Sequence, residues 1–250
     1  MSSLRDRSAI VTGASSGIGA ATARMLAKAG LRVTLAARRL ERLETLAQEL
    51  RASGAQAVAV RADMRIEEDI LGVFEAARTH FGGVDVLVNN AGLGFAAPII
   101  SGETEQWRTM LEVNVLGLCI ASREAIRDME RRQVAGHVVQ VSSMAAHRVP
   151  GLDSAVYSAT KFAVRALTEG LRLELRARKS AIRISAVSPG YVETEFAQVF
   201  TGAAPSARDT PPPIKVLEDV DVAGAILWIL QQPAHVQVHD VLLRPTDQRT

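Results

Sequence analysis

Tyr157 and Lys161 stand four residues apart in the run Tyr157-Ser158-Ala159-Thr160-Lys161. On a helix that spacing puts both side chains on one face, one turn from each other. A phenol with an ordinary pKa of about 10 is a poor proton donor or acceptor at neutral pH. An ammonium held one turn away favours the phenolate and brings the group toward a working range. Far upstream, Thr12-Gly13-Ala14-Ser15-Ser16-Gly17-Ile18-Gly19 follows the apolar run Ala9-Ile10-Val11 and opens a helical pattern from Ala20 to Ala29. Strand, glycine turn and helix form the context of a dinucleotide site. The glycines let backbone approach a pyrophosphate, and the helix N-terminus offers free N–H groups and a positive dipole end. Each motif alone also reads blandly, as a chance pair on a helix and as a tight turn.

The end of the second strand argues cofactor identity. A carboxylate about 20 residues past the glycine turn would accept the ribose hydroxyls of NAD. Here Val33-Thr34-Leu35-Ala36-Ala37 leads to Arg38-Arg39, with no acid. An Asp would repel a 2′-phosphate, whereas a guanidinium offers a planar fork of donors that matches one. NADP(H) is the expected cofactor, with Arg38 first and Arg39 in support. The same arginines also read as the solvated start of the helix Arg38-Arg39-Leu40-Glu41-Arg42.

The elements that must position these groups alternate. Strands are expected at 8–12, 32–36, 57–61, 85–89, 137–141, 182–187 and 238–242. Helices are expected near 17–29, 40–52, 67–81, 105–131, 157–178 and 219–231. Such alternation implies an α/β fold with a mostly parallel sheet covered on both faces. Phe196 to Lys215 stands apart because Pro205 and Pro211-Pro212-Pro213 forbid a continuous helix. It reads as a surface loop or, given where function concentrates in loops, a substrate lid. Ala155, Ala159, Ala163, Ala166 and Gly170 form a small-residue stripe along the Tyr157 helix. That stripe either faces the sheet or receives a helix of another subunit.

At 250 residues and 48% hydrophobic content the chain suits one globular domain over 1–250. Net charge is only +2, and no basic run is interleaved with aromatics, so nucleic acid is not an expected partner. Cys119 is the one cysteine, expected as a buried, inert thiol. No metal-ligand spacing appears among the histidines. No apolar run is long enough to span a bilayer, and a soluble, cytoplasmic protein is expected.

Further motifs run in order along residues 5 to 245: Asn89-Asn90-Ala91-Gly92, Asn114-Val115-Leu116-Gly117, Ser142-Ser143 and Ser188-Pro189-Gly190. With the glycine turn and the Tyr157/Lys161 pair, they resemble the short-chain dehydrogenase/reductase family, in its short, single-domain branch. The resemblance implies a Rossmann-type, doubly wound, seven-stranded sheet in the order 3-2-1-4-5-6-7 and a lid at 195–218. It implies that Tyr157 exchanges a proton with a carbonyl or alcohol, and that Lys161 lowers the Tyr157 pKa and bonds the nicotinamide ribose. Ser143 would hold the substrate oxygen, although Ser142 also lies near the strand end, and Asn114 would position a water of a proton relay. Gly13, Ser15, Ser16, Gly17, Ile18 and Gly19 would cradle the pyrophosphate. Asp63, with Met64 beside it, would meet the adenine, and Asp63 also reads as a helix N-cap. Asn90, Ala91 and Gly92 would meet the adenine ribose, and Pro189, Gly190, Val192 and Thr194 the nicotinamide carboxamide.

The implied activity is NADP(H)-linked interconversion of a ketone and a secondary alcohol by a homodimer or homotetramer. The C-terminal stretch Gln232 to Val236 and Leu243 to Thr246, with Arg38 to Leu43, is similar to one subgroup. That subgroup comprises 3-hydroxy acid or serine dehydrogenases, insect farnesol dehydrogenases and vertebrate ketosteroid reductases. Pocket candidates Phe95, Met144, Val149, Leu152, Tyr191 and Phe196 are mostly apolar and favour a bulky ketone. Arg148 is the obvious partner for a carboxylate, which keeps a 3-hydroxy acid in view. His147 reads as a surface imidazole in the same loop. A non-catalytic NADP-binding regulator is the reading from another class.

Overall fold

The computed structural model describes residues 4–196, 200 and 214–248. Seven strands, β1 (Ser8–Thr12), β2 (Arg32–Ala37), β3 (Ala57–Arg61), β4 (Val86–Asn89), β5 (His137–Val141), β6 (Arg183–Pro189) and β7 (Asp240–Leu243), form one sheet. Its order is β3-β2-β1-β4-β5-β6-β7, and every pairing is parallel. β1, β4, β5 and β6 are buried along their whole length. Strands covered on both faces read as continuous apolar or β-branched runs, as these do.

Helices α1 (Gly17–Lys28), α2 (Leu40–Ala52) and α7 (Asp219–Gln231) lie on one side, where Leu26, Leu43, Leu46, Ile226 and Ile229 join the core. On the other side α3 (Glu67–Phe81), α5 (Leu118–Arg131) and α6 (Ala155–Ala177) supply Ile70, Phe74, Ile120, Met129 and Leu175. Apart from Leu26 the buried face of α1 is Gly, Ala and Thr, and the lack of bulk lets it lie close to its neighbours. Strand order reverses between β1 and β4, so the crevice beyond the carboxyl ends of these two strands is the expected ligand site of such a sheet.

Four expectations change. The helix expected over 105–131 is α4 (Thr104–Leu111), a π-helical segment (Glu112–Gly117) and α5 in succession. Asp63 is not a helix N-cap: α3 starts after Ile66 without a side-chain cap, and the Asp63 carboxylate is held by Arg65. The small-residue stripe on α6 does not face the sheet, because Ala159 and Ala166 are exposed. Instead Ala166 and Gly170 line a surface groove with Leu118, Cys119 and Ile126 of α5. Cys119 is half-buried, and desolvation pushes its thiol up.

Candidate active site

β1 ends at Thr12, and the glycine turn follows with Gly13 at φ 67 and Gly17 at φ 48. A Cβ on Gly13 would stand 2.8 Å from Asn90 Nδ2 and 2.9 Å from Ala91 Cα, and one on Gly19 would collide with the Gly13 carbonyl. Side chains are therefore excluded where the β1 and β4 turns meet. Asn90 clamps that meeting point, donating from Nδ2 to the carbonyls of Thr12 (2.9 Å) and Gly13 (3.2 Å). Thr12 Oγ1 accepts from the amides of Asn90 and Ala91. Ser16 stands at the N-cap of α1, but its side chain accepts from none of the helix's own first-turn N–H groups, which suits them to an anion.

The two arginines behave differently. Arg38 is exposed, while Arg39 turns back to the glycine turn. Its guanidinium donates to Ser15 Oγ (3.0 and 3.2 Å) and Ser16 Oγ (2.7 Å). Its third nitrogen donates to Glu195 (2.8 Å), which also accepts from Arg42 (2.6 Å). Nothing in local sequence signals Glu195, because it meets these residues from more than 150 positions away. Asp63 is nearly buried, with a carboxyl pulled down by the hydrogen-bonded Arg65, and Met64 is buried beside it.

β5 ends at Val141, so Ser142 still belongs to the sheet edge while Ser143 begins the turn. The Ser142 amide bonds Val187 of β6, and its hydroxyl is buried without a partner among the described residues. Ser143 caps a 3-10 turn (Met144–Ala146) by accepting from the Ala145 amide at 3.1 Å. The Ser143 side chain also approaches the Tyr157 hydroxyl closely enough to favour its ionised form. Ser143, not Ser142, is thus the serine brought to the phenol. The 3-10 turn and the loop to Ser154 absorb the separation between the two residues.

Tyr157 and Lys161 sit near the start of α6, both buried. Lys161 Nζ donates to the Val141 carbonyl at 3.0 Å and lies 5.9 Å from the centre of the Tyr157 ring. Burial governs both groups in the chain by itself. It pushes the phenol up to about 12, against the lowering effect of Ser143, and brings the ammonium down to about 8. The expected lowering of Tyr157 by Lys161 is not what sets the phenol in the chain by itself: desolvation disfavours both charged forms.

Asn114 lies within the π-helical segment and is buried. Its Oδ1 accepts from the Leu93 amide (2.9 Å), and its Nδ2 donates to the Leu93 carbonyl (2.7 Å) and Thr160 Oγ1 (3.0 Å). The point where a Cβ on Gly92 would stand is 3.4 Å from both Asn114 Oδ1 and Lys161 Nζ. Glycine there keeps a side chain from intruding between the two. Thr160, unmarked in the sequence, is what ties the π-helical segment to α6.

Aromatic rings close over the phenol. Phe196 and Phe200 lie 5.4 and 5.8 Å from the Tyr157 ring, centre to centre, and stack on each other at 6.0 Å. Phe95 and Trp107 join the same cluster. Of the other expected pocket residues Met144 is buried, whereas Val149, Leu152 and Tyr191 are exposed and stand outside this cluster. The rest of 197–213 lies outside the described residues, so most of the expected lid does too. Its flanks are fixed: Gly190 donates to the Leu243 carbonyl at 2.7 Å, and Val192 pairs with Leu217. His147 is half-buried, not a surface imidazole, with Nε2 3.1 Å from Asp240 of β7, a carboxylate that also accepts from Ser188.

The chain matches the family model described as short chain dehydrogenase over residues 7–203. The chain belongs to the short-chain dehydrogenase family. Its relatives include "Dehydrogenase/reductase SDR family member 11" of Bos taurus, 47% identical over 98% of both chains. "Farnesol dehydrogenase" of Aedes aegypti is 41% identical over 96% of both. A solved structure, the closed form of serine dehydrogenase complexed with NADP+, superposes with a TM-score of 0.89 at 32% identity, over 97% of this chain and 96% of that one. Another short-chain dehydrogenase/reductase, from Burkholderia phymatum in complex with NAD, reaches a TM-score of 0.86 at 27% identity, over 97% of this chain and 90% of that one. As a short-chain dehydrogenase this chain is an oxidoreductase that uses a nicotinamide cofactor. Among the described residues there is no helix long and apolar enough to cross a membrane, and no cluster of three metal-ligating side chains.

Proposed function

We propose that this short-chain dehydrogenase interconverts a ketone and a secondary alcohol with NADP(H), as one domain over 1–250. The approach of Ser143 to the Tyr157 phenol, with Lys161 one turn along α6, carries the reading. The glycine turn fits a dinucleotide, since Gly13 and Gly19 admit only backbone where β1 and β4 meet. NADP(H) supplies or takes up the hydride. Ser143 holds the carbonyl oxygen, a preorganised donor at the place where charge develops. Tyr157 gives that oxygen its proton in reduction and recovers it in oxidation. Lys161 holds the nicotinamide ribose and stabilises the phenolate, and Asn114 orders a water that links Lys161 to solvent.

Gly13, Ser15, Ser16, Gly17, Ile18 and Gly19 hold the pyrophosphate. Asp63 and Met64 meet the adenine, Asn90, Ala91 and Gly92 its ribose, and Pro189, Gly190, Val192 and Thr194 the carboxamide. Arg39, with Arg38 beside it, receives the 2′-phosphate. Its seat on Ser15 and Ser16 supports NADP(H) over NAD(H), as does the missing acid at Ala37.

The aromatic cluster of Phe95, Trp107, Phe196 and Phe200 supports a bulky, apolar ketone, in keeping with the name of the Aedes relative. A 3-hydroxy acid is the second reading. It is favoured by the likeness to serine dehydrogenase and by Arg148, whose Nε and Nη2 are buried without a partner among the described residues. The outward stripe Ala159, Ala166 and Gly170 beside α5 supports a homodimer or homotetramer, and 195–218 serves as the lid. Absorbance of reduced nicotinamide, followed across substrates from small 3-hydroxy acids to terpenoid and steroid ketones, tests the assignment. Turnover of the apolar ketones is expected. Absence of turnover across the panel, with NADPH still bound, would favour a regulator instead.

A further inference from the structure

Two guanidinium groups converge on one carboxylate at the edge of the glycine turn. Glu195 Oε2 accepts from Arg39 Nη1 at 2.8 Å, and its Oε1 accepts from Arg42 Nη1 at 2.6 Å. The remaining Arg39 nitrogens sit on Ser15 and Ser16. Arg42 and Arg39 hold the Glu195 carboxyl down at about 2, so it is an anion throughout the neutral range. The chain also lies directly on the turn here, since a Cβ on Gly17 would stand 3.0 Å from the Thr194 methyl. An anion supplied by the protein thus occupies one donor of each of two guanidinium groups that together suit a phosphate monoester, beside two serine hydroxyls and the dinucleotide-binding helix.

We propose that Glu195 is a cofactor-specificity residue, whose carboxylate occupies the seat that the 2′-phosphate of NADP(H) takes, so that phosphate binding and the Arg39–Glu195–Arg42 bridge exclude each other. The proposal rests on the NADP(H) reading above. A phosphate carries more charge than a carboxylate and offers three acceptor oxygens, so it displaces Glu195. An unphosphorylated ribose has no such lever and leaves the bridge in place. Glu195 is followed by Phe196, which lies against the Tyr157 ring. Displacement therefore pulls directly on the aromatic cap of the phenol, and only the phosphorylated cofactor makes that pull.

The test is calorimetric titration of the full chain with 2′,5′-ADP and with 5′-AMP, comparing the parent with Glu195→Gln and Glu195→Ala. Both ion pairs are about half-exposed, and such pairs contribute modestly. The variants are expected to tighten 2′,5′-ADP by roughly three- to ten-fold and to leave 5′-AMP unchanged. An unchanged or weakened affinity for 2′,5′-ADP overturns the proposal, as does an equal gain for both nucleotides. If the parent prefers 2′,5′-ADP but the variants gain nothing, the role of Glu195 fails and the NADP(H) reading stands. If neither parent nor variants distinguish the nucleotides, the NADP(H) reading fails and the proposal with it.

Discussion

At the scale of single residues, the proton-transfer reading turns on one hydroxyl. Tyr157→Phe removes the transferable proton and keeps the ring that Phe196 and Phe200 pack against. Positioned general acids typically contribute 10²–10⁴-fold, so kcat is expected to fall by about 100-fold or more while NADPH still binds by fluorescence titration. Turnover within a few-fold of the parent would exclude Tyr157 as the acid. Lys161→Met is expected to lose most of the activity and also to weaken cofactor binding, since one ammonium serves phenol and ribose. Unchanged cofactor affinity would remove the ribose from its role. For the arginines, the contact with Ser15 and Ser16 ranks Arg39 above Arg38. Losing a charge-assisted phosphate contact costs about 1.5–3 kcal/mol, roughly 10- to 150-fold. Arg39→Ala is expected to raise KM for NADPH within that range and to leave KM for NADH nearly unchanged, with Arg38→Ala milder. A double variant that keeps the parental preference would show the charge argument at the end of β2 to be wrong.

At the scale of elements, most boundaries were legible because burial on both faces writes them plainly: β1 and β5 lie where their apolar runs lie. The π-helical segment was not legible. The run from 105 to 131 has a continuous helical pattern, and what marks its widened turn is a tertiary bond from Asn114 to Leu93. Helical widening of this kind is frequently found at functional sites. The resemblance already put Ser143 ahead of Ser142, and the end of β5 gives the physical reason, because one residue of register exchanges the sheet edge for the turn. The Glu195 bridge was out of reach, since contacts across more than 150 residues leave no local pattern. Gly94 gives this scale its own test. A Cβ there would stand 2.8 Å from both Phe200 and Tyr157 and 3.0 Å from Phe196. Gly94→Ala is therefore expected to push the two phenylalanines off the phenol. kcat/KM for a bulky apolar ketone should fall several-fold more than that for a small one. Equal losses on both would show that the cluster does not sort substrates.

At the scale of the whole molecule, acid is expected to find a weak point far from the chemistry. His137 opens β5, fully buried, with Nε2 2.9 Å from Ser185 Oγ and Nδ1 without a partner among the described residues. Burial, with the nearby charges of Arg183 and Arg7, pulls its imidazole down to about 3. The unfolded chain takes this proton near pH 6.5 and the folded one only near 3. The stabilisation is thus complete above pH 6.5 and is lost as pH falls through the window, at up to about 1.4 kcal/mol per pH unit. Urea unfolding at pH 7, 5 and 4 is expected to show that decline, and His137→Gln to flatten it. An unchanged slope in the variant would assign the acid sensitivity to other groups.

The pairing of Val192 with Leu217 carries a consequence for how such a protein acquires new chemistry. Two positions twenty-five apart in the chain are stitched side by side at the rim of the sheet, so whatever is threaded between them enters and leaves at the same doorway. Closing a longer or shorter insert across a fixed gap changes the entropy only logarithmically, by about 0.6 kcal/mol per doubling of length. The catalytic hydroxyls and the glycine turn lie outside that doorway. The insert is thus a replaceable cassette: exchanging residues 196–216 for those of a relative, with Thr194 and Glu195 kept, should carry substrate choice across while the sheet and its proton-transfer machinery stay as they are.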